Sequence, residues 1–78
     1  MADERERPAL PPYQQIAADL RARIESGELE PGSMVPSITR LTQEYGVAKG
    51  TAVKALAELR REGLTRTVPG WGTFVAER

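Results

Sequence analysis

Two lysines and a threonine lie close together in the stretch AKGTAVK, near the middle of the chain. Lys49 and Lys54 can donate charged hydrogen bonds to an anion, and Thr51 adds a neutral hydroxyl donor. Gly50 has no side chain, so a ligand can approach the backbone closely there. The free amides in the first turn of a helix also favour an anion. This stretch therefore predicts contacts with phosphate groups or with acceptor atoms of bases.

The composition excludes most catalytic chemistry. The 78 residues contain no Cys and no His, which removes the common nucleophile–base pairs and most zinc sites. The sequence also shows no paired carboxylates and no phosphate loop with a Walker lysine. We expect no enzyme, no catalytic residue, no metal and no cofactor. No apolar run reaches the length of a membrane span and no secretory signal is present, which predicts a cytoplasmic protein without membrane contact.

Charge is balanced over the chain but not along it. Eleven basic and eleven acidic residues give a formal net charge of zero. Before Pro31, seven acids face four bases, a net charge of −3; from Pro31 onward, seven bases face four acids, a net charge of +3. The second half is thus the candidate anion-binding part, although a normally mixed surface would give the same totals.

Apolar periodicity predicts three helices. The first begins near Tyr13, the second follows Ser37 as its N-cap, and the third runs from about 48 to 62. Glycines are expected to end the helices, at Gly27, Gly46 and Gly63. The residues expected to face the core recur at helical spacing: Tyr13, Ile16, Ala17, Leu20, Ile24, Ile38, Leu41, Tyr45, Ala52, Ala55, Leu56 and Leu59.

The period changes after the third helix. LTRTV and TFVA are short β-prone runs, and PGWG between them predicts a hairpin loop with Gly70 at its turn. Phe74 is expected to pack on the core, and SMV before the second helix could be a short strand. Residues 1–12 are expected to form a flexible arm and residues 13–76 a single domain.

The second and third helices, joined by a tight turn at Gly46, form a helix-turn-helix pattern. In that motif the second helix enters the DNA major groove. Its face away from the apolar stripe carries Lys49, Gly50, Val53 and Lys54. A glycine-tipped hairpin directly after these helices is the winged variant.

The segments YQQIAADLRARIESGELEPGSMVPS, LTQEYGVAKGTAVKALAELRREGL and PGWGTFV together resemble the DNA-binding domain of the GntR family of bacterial transcription regulators. The resemblance covers residues 13–75. It implies a mainly α fold with a small β-hairpin, a three-helix winged helix-turn-helix. It further implies a sequence-specific, double-stranded DNA-binding transcriptional regulator, a repressor, with its recognition helix at 48–62 in the major groove. The wing, at 64–76, would lie at the minor groove or backbone, and a homodimer would bind an inverted-repeat operator.

The same resemblance implies a set of DNA-binding residues: Ser37, Thr39, Arg40, Ala48, Lys49, Gly50, Thr51, Val53, Lys54, Gly70 and Trp71. Several depart from the family pattern. Thr39 stands where a base-reading arginine is usual, and Lys49 where the third helix usually has an arginine. Val53 replaces a second arginine and would contact a thymine methyl or be merely exposed. Trp71 follows the wing glycine where arginine is frequent.

Some interpretations stay open. Zero net charge and the replaced arginines would also suit a winged-helix module that binds protein without binding DNA. Arg40 would take a phosphate or remain solvated. Trp71 would lie against sugar and phosphate or fold over the base of the wing, and we favour the second. The end of the third helix, residues 60–62, is expected to be solvated.

Overall fold

The computed structural model describes residues 10–77 of the chain. Three helices precede a two-stranded antiparallel hairpin. The helices are α1, Pro12–Ser26; α2, Ile38–Tyr45; and α3, Lys49–Arg61. The strands are β1, Thr65–Val68, and β2, Gly72–Val75. The expected order of elements is confirmed, and the fold is a three-helix winged helix-turn-helix.

Local signals set the ends of the helices. Proline occupies the first turn of α1, where its missing amide costs no helical hydrogen bond, so α1 begins one residue before Tyr13. Most of the predicted arm, residues 1–9, lies outside the described residues. Ser37 caps α2 by accepting from the amide of Arg40 at 3.1 Å. Gly27 and Gly46 adopt the left-handed conformation directly after α1 and α2, as the sequence predicts.

The core lies between the three helices and the base of the hairpin. Its buried apolar side chains are Ile16, Ala17, Leu20, Val35, Leu41, Ala52, Ala55, Leu56, Leu59 and Val75. Four further side chains are half-buried and pack against this core: Tyr13, Ile24, Ile38 and Tyr45. All the residues predicted to face the core therefore contribute to it. Burial of these faces is what orients α3 against α1 and α2.

The predicted role of Phe74 is wrong by one position. Val75 is the buried residue of β2, and it pairs across the hairpin with the buried Thr65. Side chains alternate along a strand, so Phe74 points to the opposite face, where it pairs with Arg66. Phe74 is half-buried there and is not among the core residues.

The loop before α2 adds a strand-like edge to the hairpin. Met34 forms an isolated antiparallel bridge with Phe74. The Val35 amide donates to the Thr73 carbonyl at 2.8 Å, and the Val75 amide donates to the Ser33 carbonyl at 2.8 Å. The expected short strand at SMV is thus a single bridge in register with β2. These bonds fasten the wing to the start of α2.

Candidate nucleic-acid interface

The first turn of α3 offers its amides without a side-chain cap. Ala48 occupies the N-cap position with extended backbone and makes no capping hydrogen bond, in contrast to Ser37 before α2. The amides of Thr51 and Ala52 already donate to the Ala48 carbonyl. The earlier amides, at Lys49 and Gly50, remain for an outside acceptor. An anion at this end would also meet the positive end of the helix dipole.

Side chains around this turn are open to solvent. Ala48, Lys49, Gly50 and Lys54 are exposed, and Thr51 is half-buried. A Cβ added at Gly50 would meet nothing within 4 Å, so the space before this residue is free. The sequence predicts that Lys49, Gly50, Val53 and Lys54 lie away from the apolar stripe, and all four are exposed in the structure.

The two lysines of this turn are held differently. The ammonium of Lys54 lies 4.3 Å from the centroid of the Tyr13 ring, which fixes it beside α1. Lys49 makes no ion pair with another residue of the described chain. Lys54 is therefore positioned beside α1, whereas Lys49 has no comparable ion pair within the described residues.

Ion pairing sorts the charges of this neutral chain into two groups. Within residues 10–77, the arginines that pair with carboxylates are Arg21, Arg23, Arg40 and Arg61. The cations that make no ion pair in the same range are Lys49, Lys54, Arg60 and Arg66, on α3 and β1. The unpaired positive charge is thus concentrated on the recognition helix and the wing, although the sum of charges is zero.

Arg40 belongs to the paired group. Its guanidinium donates to Glu44, one helical turn along α2, at 2.9 Å. Two other predicted site residues lie nearby: Ser37 uses its hydroxyl as the α2 cap, and Thr39 is exposed with its carbonyl accepting from Thr42. The pair with Glu44 means that Arg40 must exchange a partner before it can bind a phosphate.

A cleft separates α3 from the wing, and we call it the α3–wing cleft. Its lining residues come from three elements: Ile38 of α2; Val53, Leu56, Ala57 and Arg60 of α3; and Thr67 and Thr73 of the wing. Val53 is 42% exposed and lies on its α3 wall. The predicted site residue Val53 is thus joined by Arg60, Thr67 and Thr73, which are not among the residues predicted from the sequence to bind DNA.

Arg60 could have been found from its spacing. It follows Lys49 and Val53 by eleven and seven residues, so the three share one helical face. No acid occupies the positions three or four residues from Arg60, which are Leu56, Ala57, Gly63 and Leu64. An arginine without a helical partner on the exposed face of a recognition helix is a usable signal. Thr67 and Thr73 carried no such signal, because their approach to α3 depends on the hairpin.

Trp71 is at the tip of the wing and is 74% exposed. The favoured expectation that it folds over the base of the wing is therefore wrong in this structure, because a packed indole would lose most of its exposed area. The tip turns through Gly70, with φ +81°, and the Trp71 amide donates to the Val68 carbonyl at 2.9 Å. Gly70 and Trp71 border a shallow apolar groove that also includes Ser37 and Met34.

The end of α3 is not simply solvated as expected. Arg21 of α1 binds Glu62 through both carboxylate oxygens, at 2.8 and 2.6 Å. This hydrogen bonding lowers the pKa of Glu62 below its ordinary value and raises that of Arg21. Arg61 pairs with Glu58, which leaves Arg60 as the end residue without an ion pair in the described chain. The bidentate pair fixes the far end of α3 against α1.

Comparison with known proteins identifies the family. Residues 12–75 match the model of bacterial regulatory proteins of the gntR family. The chain belongs to this family. The domain is 39% identical over 67 residues to the mannosyl-D-glycerate transport/metabolism system repressor MngR of Escherichia coli, covering 86% of this chain and 28% of that protein. It is 37% identical over 68 residues to the repressor NagR of Bacillus subtilis, covering 87% and 28%. This GntR-family domain thus spans about a quarter of the length of these relatives.

Solved structures share the fold. The DNA-binding domain of AraR in complex with operator ORR3 superimposes with a TM-score of 0.87, at 33% identity, over 97% of this chain and 92% of that one. The same AraR domain with operator ORX1 gives a TM-score of 0.84 at 37% identity, over 87% and 82%. The fold expectation, a winged helix of the GntR family, is confirmed. MngR and NagR are both named as repressors. None of the helices within residues 10–77 is long and apolar enough to cross a membrane.

Proposed function

We propose that this domain binds double-stranded operator DNA sequence-specifically and regulates transcription as a repressor. The observation that carries the proposal is the concentration of unpaired cations on α3 and β1, beside the uncapped first turn of α3. Binding to phosphates requires such cations and free amides, whereas binding to another protein through a neutral surface does not require them. The repressors MngR and NagR and the operator-bound AraR domains support the same function.

In the proposed complex, α3 enters the major groove with its N-terminal end leading. Lys49 reaches acceptor atoms on a guanine edge, while the uncapped amides and Thr51 take a phosphate. Val53 faces the floor of the groove, where its methyl groups suit a thymine methyl. Lys54, held over Tyr13, contacts the backbone beside α1.

The wing supplies the second set of contacts at the minor groove or backbone. Gly70 turns the chain tightly, and Trp71 projects from the turn into solvent. An indole lies well against deoxyribose and phosphate edges, and it has no charge to attract them from a distance. This wing would therefore contribute contact area where an arginine would contribute charge.

The remaining residues of the predicted set have smaller parts. Ser37 and Thr39 lie at the start of α2, where helix-turn-helix proteins cross the backbone. Arg40 contributes a phosphate contact after leaving Glu44, and Ala48 allows close approach of the α3 backbone.

We further propose that the DNA-bound form is a homodimer on an inverted repeat, acting in the cytoplasm. Two-fold related domains on half-sites double the number of phosphate contacts that one small domain can make. A single domain alone should bind weakly for the same reason.

A salt titration with duplex DNA tests the function. The domain, joined to a dimerisation module, is mixed with fluorescein-labelled duplexes selected by it from a random-sequence pool, and anisotropy is followed as salt rises. Affinity that falls steeply with salt supports the proposal, because counterions are released on binding. A dimeric form with no affinity for any duplex at low ionic strength contradicts it and favours the protein-interaction module.

A further inference from the structure

The α3–wing cleft shares Val53 with the major-groove surface assigned above, but Arg60, Thr67 and Thr73 of its lining have no assigned contact there. Its lining includes one cation, Arg60, at the opposite end of α3 from Lys49. Its walls are otherwise apolar or hydroxylic, and none of the lining residues is acidic. An anion entering the cleft would therefore meet no repulsion from its walls.

Arg60 is available for such a ligand. It is exposed, and within residues 10–77 its guanidinium makes no ion pair and no hydrogen bond. The neighbouring Arg61 is engaged with Glu58, three residues earlier. The difference follows from helical spacing, because Glu58 lies within reach of position 61 and only two residues from position 60.

The wing wall supplies neutral donors. Thr67 and Thr73 are directly paired across the hairpin, with their hydroxyl oxygens 3.5 Å apart. This pair lies on the hairpin face that lines the cleft. Two hydroxyls and one guanidinium, from separate elements, thus border one small space. A phosphate accepts hydrogen bonds from both kinds of group.

We propose that the α3–wing cleft binds a backbone phosphate of the DNA strand that passes between the recognition helix and the wing. Arg60 is its cation, and its neutral donor is whichever hydroxyl of the Thr67–Thr73 pair does not donate to the other. The contact is independent of base identity, so it sets affinity and the seating of the wing, not the choice of operator. This inference rests on the proposed DNA binding.

The test compares two adjacent arginines. Arg60→Gln and Arg61→Gln each remove one cation from the last turn of α3, so they change net charge and helix-dipole interaction alike. Affinity for a labelled mixed-sequence duplex is measured by anisotropy between about 10 and 100 mM salt. Each phosphate contact contributes about 0.9 to the slope of log affinity against log salt. Arg60→Gln should lower the slope by about that amount, and Arg61→Gln should leave it unchanged.

The expected affinity ratio of the unchanged protein to Arg60→Gln falls about eightfold for each tenfold rise in salt. The loss should be the same on duplexes of different sequence. Arg60→Lys should keep the slope, because the charge remains. Thr67→Val should weaken binding without altering the slope.

The possible failures are distinct. A slope unaltered in Arg60→Gln, or an equal change in Arg61→Gln, overturns the cleft as a phosphate site while DNA binding stands. A loss confined to one duplex sequence also overturns it, because a base contact is then indicated. No binding by the unchanged protein would overturn both this inference and the proposed function. Circular dichroism on each variant checks folding. If Arg60→Gln does not fold, Arg60→Lys replaces it in the test. A reduced slope of log affinity against log salt in Arg60→Lys would contradict a charge contact, because that variant keeps the charge.

Discussion

Lys49 and Lys54 carry the same charge on neighbouring turns of α3 but have different surroundings. Lys54 is held 4.3 Å from the Tyr13 ring centroid, so its ammonium meets only what arrives beside α1. Lys49 has no ion-pair partner within residues 10–77 and stands beside the exposed Gly50. Contacts to base edges carry sequence information, whereas contacts to phosphates fix the register and orientation of the protein on the duplex.

We therefore expect Lys49→Ala to weaken binding to the selected duplex by about 1–3 kcal/mol and to relax its sequence preference. Anisotropy titrations against a panel of single-base variants measure both effects. Arg61→Ala, which removes a paired arginine from the same helix, is the control and should change neither. Unchanged affinity and preference for Lys49→Ala would place that lysine outside the interface.

Trp71 is the only tryptophan, so its fluorescence reports on the wing alone. The free domain should emit as a solvent-exposed indole, given its 74% exposure. Saturating duplex should quench the emission or shift it, because sugar and phosphate replace water around the ring. Free N-acetyltryptophanamide with the same duplex controls for light absorption by the DNA. Unaltered emission at saturation would contradict a wing-tip contact.

At the scale of the element, the first turn of α3 contains an exposed residue, Gly50, that lowers helix stability. Glycine lowers helix stability because it has the most backbone freedom to lose, and Gly50 sits in the first turn of α3. Nothing lies within 4 Å of an added Cβ, so no packing reason in the described chain requires glycine there. A residue that costs stability without a packing role is best explained by the close approach of a ligand.

Gly50→Ala should accordingly stabilise the fold by about 0.4–1 kcal/mol and weaken DNA binding. Thermal unfolding and duplex titration of the same variant give the two numbers. Stabilisation with unchanged affinity would show that the backbone at Gly50 does not approach DNA closely.

At the wing tip, in contrast to Gly50, the backbone conformation itself favours glycine. Gly70 adopts φ +81°, a region that β-branched residues avoid, while open space surrounds its α-carbon. Gly70→Val should strain only the turn, because the buried cross-strand pair of Thr65 and Val75 lies at the other end of the hairpin. We expect a larger loss of DNA affinity than of thermal stability. A variant that fails to fold would assign Gly70 a purely conformational role.

At the scale of the whole molecule, an ion pair links the C-terminal end of α3 to the first helix. Arg21 and Glu62 are 41 residues apart in sequence and form a bidentate pair with about a third of each side chain exposed. On that side of the domain, α3 ends at Arg61, and Gly63 turns the chain into the wing with φ +80°. The pair therefore stabilises the C-terminal end of α3, from which the chain turns into the wing.

This contact makes part of the stability dependent on pH. The hydrogen bonds from Arg21 lower the pKa of Glu62, so its stabilising contribution is complete above the ordinary carboxyl pKa and is lost as pH falls through the lowered value. Glu62→Gln should reduce stability at neutral pH by about 0.5 kcal/mol, a value discounted for solvent screening. The difference from the unchanged protein should shrink in acid and at high salt. Glu30→Gln, at an exposed loop carboxylate without an ion pair in residues 10–77, is the control and should show no such dependence in thermal melts. A difference that persists unchanged in acid would contradict the charge contact.

Much of the fold could be predicted because its signals are local. Ser37 can accept from a nearby amide, Gly46 can take the left-handed conformation, and the leucine and alanine positions recur at helical spacing whatever the rest of the chain does. The exposed face at the start of α3 followed from the same spacing. The prediction that Phe74 packs on the core was wrong because a strand of four residues is too short to show which alternate side chains face the core. Val75 faces the core because of its pairing with Thr65 and the packing of the hairpin on the helices.

The sequence by itself determined the order of elements and the ends of the helices, because capping and helical periodicity depend on residues close together in the chain. It also determined the family, because the YGVAKGT and GWGTFV motifs are short and contiguous. Only the tertiary structure decided which charges pair between elements that are far apart in the sequence and which side chains line the wing. Arg21 finds Glu62 across the domain, Trp71 stays in solvent, and the wing brings Thr67 and Thr73 to Arg60. These outcomes depend on how α1, α3 and the hairpin pack, since residues far apart in sequence meet only after the core has formed.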